Sequence, residues 1–488
     1  MNKKYDSIVV GSGPNGLAAA ITLQQAGLSV LLVEGKETVG GGMRSAPLTL
    51  PGFVHDVCSA IHPLGAGSPF FNTLPLEKFG LTFIRPDIAA AHPFDNGEAS
   101  VLYRSVEDTA RSLGMDEQAY KKFMTPLVND WPRLAAEVLA PLHFPGHPLR
   151  MARFGLKALS SAVGTARRFR SDKARGLWAG IAAHSVQPLT SMASSAAGLA
   201  LMIAGHTTGW PLPKGGANAI ANALADYFVS LGGSIQTGFY VESLNQLPEA
   251  RAVLFDVTPK QLLEIAGERF TTRYTKQLQQ YRYGPGVFKI DWALDGPVPF
   301  TAPECRKAGT VHLGNSLEEI TSAEQQVADG LHPEKPFVLL TQQSLFDPSR
   351  APVGKHTAWA YCHVPNGSQQ DMTAAIEQQV ERFAPGFRKL IMAKHTMNTT
   401  RMEAYNPNYI GGDIGGGNMD IGQLFTRPAL RLSPYTTPAK GLYICSSSTP
   451  PGGGVHGMCG YHAAKKALKE MFGQQAVPLT MPVNSDSK

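Results

Sequence analysis

The first 45 residues constrain the fold of this chain more than any other segment. They read as a short apolar strand, the glycine-rich turn GSGPNG at residues 11–16, a helix with one apolar face, a second apolar strand, and an acid, Glu34. A G-x-G-x-x-G turn in this context is typical of a βαβ unit that binds a dinucleotide. We therefore predict an α/β fold with a Rossmann-like domain at this end of the chain.

Each of the three glycines in the turn is required for a physical reason. Gly11 permits the tight turn, Gly13 lets a pyrophosphate approach the backbone, and Gly16 lets the helix pack closely on the strand. Pro14 and Asn15 lie between the last two glycines. The helix that follows the turn begins at these residues, and the free N–H groups and partial positive charge of its N-terminus favour the binding of phosphate. We predict that these five residues bind the cofactor.

Glu34 and the glycine cluster after it indicate which dinucleotide binds. The Glu34 carboxylate is placed to accept hydrogen bonds from ribose hydroxyls, and it would repel the 2′-phosphate of NADP. The run GGGMRS at residues 40–45 lets the chain pass tightly along an extended cofactor, which favours FAD. We predict contacts from Gly41, Gly42, Met43 and Arg44, with Arg44 in reach of a phosphate or of the flavin edge.

The composition and length limit the other possibilities. A chain of 488 residues suggests two intertwined domains, and its 43% hydrophobic and 17% charged residues describe a globular protein. The net charge of +6 is mild and no nucleic-acid motif is present, so we expect no nucleic-acid partner. The five cysteines are scattered without a C-x-x-C pair, which argues against a metal site or a disulfide reductase.

The sequence also bears on location. No signal peptide precedes the first strand, and the longest apolar stretch, residues 192–204, is too short to span a bilayer. We expect a cytoplasmic protein, at most attached to a membrane surface. Residues 150–175 are strongly basic with interleaved apolar side chains. This pattern predicts either an amphipathic helix on an anionic membrane or the solvated outer face of a lid helix. The sequence does not indicate an oligomeric state.

Changes of pattern along the chain predict its domain plan. A helix, a glycine pair and further strands after residue 211 return the chain to the first sheet, with Val241 where backbone groups can hold the adenine end. The predicted FAD-binding domain is therefore discontinuous and comprises residues 1–69, 211–284 and 400–481. Residues 70–210 and 285–399 form the predicted substrate-binding domain. Residues 482–488 are predicted to be a disordered tail.

The closing segment repeats the strand, glycine loop and helix order. A strand at 441–445 leads into a loop at 446–457 and a helix at 458–471, whose N-terminus we expect to face the pyrimidine end of a flavin. Gly453, Gly454 and Val455 then place backbone against the ring. His456 lies in reach of the ring or of substrate, where it either holds or moves a proton near neutral pH or only caps the loop.

The mode of cofactor attachment follows from the same segment. No Cys or His stands in an evident flavin-attachment motif, so we expect non-covalent binding. Cys445, Cys459 and His456 lie close to the loop in sequence, which keeps covalent attachment as the alternative.

With both ends considered, the chain resembles the phytoene desaturase and carotenoid isomerase family of flavoproteins, within the amine oxidase superfamily. The resemblance rests on GSGPNGLAAA, GGGMRS, LPKGGANAIANALADYFVSLGG and GLYICSSSTPPGGGVHGMCGYHAA. SAIHPLGAGSPFF, YGPGVFKIDWAL and WAYCHVP look like a phytoene-dehydrogenase-related branch that includes a mitochondrial protein named for a pyridine nucleotide-disulfide oxidoreductase domain. The missing paired cysteines do not support a disulfide activity here.

The resemblance implies a fold and one further site residue. The expected fold is a discontinuous, glutathione reductase-type FAD-binding domain with an inserted α+β substrate domain. The passage around His62 crosses the front of the flavin in this superfamily. His62 is therefore a candidate catalytic residue, and the alternative is a histidine that loop backbone satisfies.

These features indicate an FAD-dependent oxidoreductase that acts on a hydrophobic small molecule, carotenoid-like, polyene-like or otherwise lipid-soluble. No protein side chain accepts a hydride, whereas a flavin does. Three alternatives remain open: a redox-neutral isomerase that uses reduced flavin, an amine oxidase-like enzyme, and a non-catalytic flavin-binding protein that acts through partners. Because the chain has a single complete dinucleotide fingerprint, we expect no tight NADPH site.

Overall fold

The computed structural model describes residues 4–479, so the predicted disordered tail lies outside the described residues. The strands, in chain order, are β1 (Tyr5–Val10), β2 (Val30–Val33), β3 (Ser45–Ala46), β4 (His55–Asp56), β5 (Phe83–Ile84), β6 (Ile88–Pro93), β7 (Ala99–Tyr103), β8 (Leu212–Pro213), β9 (Ser234–Gln236), β10 (Ala250–Phe255), β11 (Gly286–Leu294), β12 (Ala308–Leu313), β13 (Val338–Thr341), β14 (His356–Val364), β15 (Ile391–Met397) and β16 (Leu442–Ile444).

The α-helices, in chain order, are α1 (Pro14–Gln25), α2 (Pro63–Ala66), α3 (Val106–Ser112), α4 (Glu117–Val138), α5 (Pro148–Ala158), α6 (Ala162–Ala166), α7 (Asp172–Ala182), α8 (Ser195–Thr207), α9 (Asn218–Ser230), α10 (Pro259–Ala266), α11 (Thr272–Gln279), α12 (Leu317–Ala328), α13 (Thr373–Phe383), α14 (Thr399–Tyr405), α15 (Ile421–Leu424) and α16 (Met458–Ala467).

A five-stranded parallel sheet carries the N-terminal motif. Its order is β16-β10-β1-β2-β9. Alternate residues of β1 enter opposite cores: Val9 packs with α1, α9 and α16, whereas Ile8 and Val10 pack with α10 and α11. A parallel sheet covered on both faces requires apolar runs such as that of β1. The predicted α/β, Rossmann-like fold is confirmed.

A seven-stranded sheet forms the second layer of the molecule. Its order is β15-β11-β14-β13-β12-β6-β7, antiparallel except where β6 runs beside β12. One face packs against α4, α7 and α8, and the other packs against α13. Its strands come from residues 88–103, 286–364 and 391–397, while the five-stranded sheet draws on 5–33, 234–255 and 442–444. The domain boundaries given above remain a prediction.

The basic stretch 150–175 differs from the single amphipathic helix that its pattern predicted. It contains α5, α6 and the start of α7, and serine caps separate them: Ser161 accepts from the N–H of Gly164, and Ser171 accepts from the N–H of Ala174. Most of α7 is buried. Among residues 4–479, no helix combines the length and the apolarity needed to cross a membrane.

Candidate cofactor and substrate site

One large cavity connects the two sheets. Its volume is about 870 Å³, within the range of small-molecule and cofactor sites. Val10, Glu34, Asp256 and Ser446 line it, and each stands at or just after the carboxyl end of a strand of the five-stranded sheet. Parallel sheets bind ligands at this edge. The cavity continues to Trp359 and its neighbours on the seven-stranded sheet.

The first N–H groups of α1 are only partly capped, since Asp256 accepts the N–H of Gly16. Gly13 is the N-cap residue and offers no side chain to the first N–H groups of the helix. Asn15 is buried at the cavity wall, and both polar atoms of its amide lack a hydrogen-bond partner among the described residues. A buried amide of this kind needs a partner. The turn is therefore arranged for an external acceptor such as a phosphate.

Two residues of the predicted cofactor set do not line the cavity. A Cβ atom on Gly16 would overlap the carbonyl oxygen of Gly11, so Gly16 serves close packing as predicted. Met43 is fully buried in the apolar core beside α1. The Met43 side chain therefore has a structural role, and a cofactor contact of this residue stays a prediction. The structure brings the other predicted site residues together around the cavity: Gly11, Gly13, Pro14, Asn15, Glu34, Gly41, Gly42, Arg44, His62, Val241, Gly453, Gly454, Val455 and His456.

Asp256 is a site residue that the sequence reasoning missed. Its Oδ2 accepts the N–H of Gly16 at 2.9 Å, and a Cβ on Gly13 would come within 2.6 Å of the same oxygen. A side chain at position 13 would thus clash with the Asp256 carboxyl group, in addition to blocking the approach of a ligand. Burial raises the pKa of Asp256 to about 7. The available signal was an acid immediately after the apolar strand β10.

Glu34 and Arg44 form a buried pair that organises the loop after β2. Arg44 Nη2 lies 3.1 Å from Glu34 Oε1, and the Arg44 guanidinium also donates to the carbonyls of Thr38 and Gly41. Glu34 additionally accepts the N–H groups of Ser12 and Lys36. Arg44 therefore fastens the loop. It also lines the cavity, and its reach toward a phosphate or the flavin edge stays a prediction.

Val241 lies where a backbone contact to a ligand is available. It borders the cavity beside Tyr240, and its peptide group makes no hydrogen bond within residues 4–479. The predicted role of Val241 is to hold the adenine end through its backbone, and this free peptide group is compatible with that role.

The closing loop shows why two of its glycines are needed. A Cβ on Gly453 would lie 2.8 Å from the carbonyl oxygen of Gly415 in a neighbouring loop. Gly454 has φ +133°, which other residues rarely adopt. Loop packing and backbone conformation therefore each require a glycine here. Both glycines also line the cavity, and their place against a flavin ring stays a prediction.

His456 caps the helix that follows the loop. Its Nδ1 accepts the N–H of Met458 at 3.0 Å, at the start of α16. Burial lowers the pKa of His456 to about 4. The imidazole is therefore neutral at pH 7, and the predicted proton transfer near neutral pH does not match this environment. The capping alternative matches it, although the ring still borders the cavity.

His62 behaves differently from His456. It is 2% exposed, lines the cavity, and neither ring nitrogen has a hydrogen-bond partner among the described residues. Loop backbone therefore does not satisfy the ring, contrary to the alternative given above. Burial lowers the pKa of His62 to about 4. A neutral imidazole with one donor and one acceptor thus stands ready for a ligand.

A second glycine loop, at residues 411–417, was also missed. Gly415, Gly416 and Gly417 line the cavity. Buried Arg427 donates to the Gly416 carbonyl at 3.2 Å and to the Tyr281 hydroxyl at 2.8 Å, which anchors the loop. The signal was the run GGDIGGG, whereas nothing local in sequence pairs it with Arg427.

Comparisons with known proteins agree with this architecture. An NAD(P)-binding Rossmann-like domain matches residues 9–74. Mouse pyridine nucleotide-disulfide oxidoreductase domain-containing protein 2 is 26% identical and covers 96% of this chain and 94% of its own length. A limonene dehydrogenase chain of Castellaniella defragrans is 23% identical over 96% of this chain and 95% of its own. Phytoene dehydrogenase of Streptomyces griseus is 25% identical over 74% and 73%.

Solved structures share the fold. Putrescine oxidase bound to putrescine superposes with a TM-score of 0.61 at 17% identity, covering 97% of this chain and 100% of that structure. An oxidoreductase from Methanosarcina mazei gives a TM-score of 0.62 at 16% identity, with coverages of 94% and 99%. The resemblance predicted from sequence is confirmed: the chain is an oxidoreductase related to the phytoene dehydrogenases, with the fold of amine oxidase-type flavoenzymes.

Proposed function

We propose that this protein is an FAD-dependent oxidoreductase that acts on a lipid-soluble small molecule. The observation that carries the proposal is the continuity of the cavity. It runs from the glycine turn and Glu34 to a chamber walled by apolar side chains of α5 and α8, among them Met151, Phe154 and Leu201. A dinucleotide and an apolar substrate would therefore share one continuous cavity.

The residues present fit FAD. The unpartnered amide of Asn15 and the glycine turn before α1 suit its phosphates, Glu34 suits a ribose, and the free peptide group of Val241 suits the adenine end. The loops at 413–417 and 453–456 border the remainder of the cavity. Bound FAD would supply the hydride or electron acceptor that side chains lack.

The chain's own residues contribute position and exclusion of water. His62 can donate one hydrogen bond and accept another while remaining neutral, since burial lowers its pKa to about 4. It can thus orient a substrate through hydrogen bonds without adding a charge. The apolar walls of α5 and α8 exclude water from the same space, which strengthens hydrogen bonds made there.

Anaerobic reduction of the purified holoprotein tests the proposal. Candidate lipid-soluble substrates should bleach the oxidised flavin absorbance in the first turnover, and His62→Phe should slow that step by at least about tenfold while flavin remains bound. Conversion that requires reduced flavin without net oxidation would indicate the isomerase instead. Bleaching by amines alone would indicate an amine oxidase-like enzyme. Retention of FAD without any conversion across these classes would favour a non-catalytic flavoprotein.

We also propose that the surface around α5 attaches to anionic membranes. Leu142, Phe144, Leu149 and Leu156 are 73%, 88%, 88% and 77% exposed. Leu149 and Leu156 are seven positions apart and share one face of α5. Leu142 also lines the cavity, so the cavity opens beside these side chains. An apolar rim at the mouth gives a lipid-soluble substrate a direct route inside.

The basic groups of α5 complement this rim. Arg150 and Arg153 lie beside it, and both pair with Asp130, at 2.9 Å and 3.4 Å. Together with Lys157 they leave a positive excess that suits acidic lipid.

Liposome co-sedimentation tests the attachment. The double variant Leu149→Ser/Leu156→Ser should lower the bound fraction by at least about tenfold, since each buried leucine contributes about 1.5–3 kcal/mol. Val353→Ser is the matched control, because Val353 is fully exposed on a loop that does not line the cavity. Raised salt should also release the wild type from anionic vesicles. Equal binding of the double variant and the control would refute the attachment.

A further inference from the structure

The chamber contains a row of polar side chains that its apolar walls do not explain. Thr310 on β12 pairs directly with Thr341 on β13, and Thr341 pairs directly with Trp359 on β14. Directly paired residues point to the same face of a sheet with Cβ atoms about 5 Å apart. All three residues line the cavity. The register therefore builds a polar row across three neighbouring strands.

None of these polar groups has a hydrogen-bond partner among residues 4–479. Thr310 Oγ1, Thr341 Oγ1 and Trp359 Nε1 are buried and make no hydrogen bond within residues 4–479. The residues are only 1%, 1% and 5% exposed. Leaving a buried donor or acceptor unsatisfied costs about 1–3 kcal/mol. Three such unsatisfied groups lie side by side in one cavity wall, which points to a ligand that forms hydrogen bonds with them.

A turn after α7 adds two more such groups to the same cavity. Ser185 Oγ and Gln187 Oε1 are buried, line the cavity, and lack a partner among the described residues. Val186 between them has φ +51°, a strained conformation for a β-branched residue. Strain of this kind is typical of ligand sites. The polar groups of the sheet and of the turn thus converge on one chamber.

The polar part of the chamber carries no full charge. Among the cavity-lining residues described at 70–210 and 285–399, Glu137 is the only Asp, Glu, Lys or Arg. Its Oε1 contacts His147 Nδ1 at 3.0 Å, and its Oε2 has no hydrogen-bond partner among the described residues. Burial lowers the pKa of His184 to about 3, so that ring is neutral. Lys289 lies 5.7 Å from the Trp359 ring, does not line the cavity, and pairs with Asp291. None of the cavity-lining residues on β12, β13 and β14 is an Asp, Glu, Lys or Arg, so a charged ligand group beside the polar row would find no counter-ion there.

We infer that the substrate is amphipathic, with an apolar body and an uncharged hydrogen-bonding group. This inference rests on the proposed function and names the substrate class of the same site. The apolar body lies against α5 and α8. A hydroxyl, carbonyl or amide group binds Thr310, Thr341 and Trp359, with Ser185 and Gln187 from the turn. A plain hydrocarbon would leave these groups unsatisfied, and a carboxylate or an ammonium group would be desolvated without compensation.

A set of octyl ligands tests the inference by binding alone. We would titrate the purified holoprotein with octane, 1-octanol, octanamide, octanoate and octylamine, and follow tryptophan fluorescence and calorimetry. The alcohol and the amide should bind at least about fivefold more tightly than the other three, the ratio expected for one net hydrogen bond of about 1 kcal/mol. Tighter binding of octane, octanoate or octylamine would overturn the inference.

A matched pair of variants locates the polar contact. Thr341→Val keeps the shape of the side chain and removes the hydroxyl, so it should weaken 1-octanol about fivefold and leave octane unchanged. Thr357→Val is the control, because Thr357 Oγ1 is also buried without a partner but does not line the cavity. Equal effects of the two variants, or an equal loss for alcohol and alkane, would refute the contact. Thermal melts would confirm that both variants fold. The ligand preference of the wild-type protein tests the inference even if neither variant folds.

These outcomes separate the inference from the proposed function. Ligand preference is measured without turnover, so it holds or fails whether or not the flavin is reduced. A protein that prefers the alcohol but never bleaches its flavin would uphold the polar contact and refute the oxidoreductase proposal. A protein that oxidises a hydrocarbon and ignores the alcohol would do the reverse.

Discussion

Replacing Glu34 by glutamine should weaken both the loop and the cofactor site, in amounts that can be measured separately. Glu34 accepts the N–H groups of Ser12 and Lys36 and pairs with Arg44, and both side chains of the pair are about 10% exposed. Removing one partner of a buried ion pair costs about 3–5 kcal/mol. Arg44 keeps its bonds to the Thr38 and Gly41 carbonyls, and glutamine keeps one acceptor. We therefore expect a smaller loss, about 2–3 kcal/mol of unfolding free energy in the apoprotein.

The loss of FAD affinity should come on top of this destabilisation. A charged hydrogen bond to a ribose is worth about 1.5–3 kcal/mol, so the FAD dissociation constant should rise about 10- to 100-fold. Urea unfolding of the apoprotein gives the first quantity, and flavin fluorescence titration gives the second. Glu37→Gln is the matched control, because Glu37 is an exposed acid of the same loop that does not line the cavity. If Glu34→Gln lowers stability but binds FAD like the control, Glu34 does not contact the cofactor.

Three further predictions follow from the site. Acid precipitation should release the yellow chromophore into the supernatant, as non-covalent binding requires; colour in the pellet would show covalent attachment. NADPH should not reduce the flavin rapidly and stoichiometrically, because the acid Glu34 follows the one complete fingerprint. Burial lowers the pKa of His456 from 6.5 to about 4, so the unfolded chain binds more protons between these values and stability falls as pH drops through that window, by up to about 1.4 kcal/mol per pH unit. His456→Asn, which keeps an acceptor for the Met458 N–H, should remove about one proton from this slope in urea unfolding; an unchanged slope would contradict the assignment.

The N-terminal unit could be predicted because its signals are local. The unit consists of β1, α1, β2 and Glu34, which follow one another within residues 5–34. The apolar periodicity of its strands differs clearly from that of its helix. The same holds for the loop and helix around His456, where α16 begins at Met458 as expected. The local sequence could not predict which residues from distant parts of the chain contact these loops. The clash of a Cβ on Gly453 with Gly415, and the anchoring of Gly416 by Arg427, depend on loops that meet only in the folded chain.

The basic stretch was misread for a different reason. Its charges and apolar residues suit a helix throughout, but Ser161 and Ser171 cap the N-termini of α6 and α7, so a new helix begins after each of them. Serine before a new helical turn is a local start signal. The sequence contains this start signal twice, but the basic amphipathic pattern favoured one continuous helix. The membrane proposal consequently rests on α5 and the exposed leucines and phenylalanine near it.

The polar row of the substrate chamber depends on strand register, which explains why the sequence predicted a hydrophobic or otherwise lipid-soluble substrate without indicating a polar contact. Thr310 and Thr341 each stand in a strand that reads as apolar, and a lone threonine is an ordinary strand residue. Only the pairing of β12 with β13 and of β13 with β14 places them beside Trp359. A slip of one residue would turn these side chains to the opposite face. The polar row is therefore a property of three strands together, and the preference for an uncharged polar group is a consequence of the folded sheet.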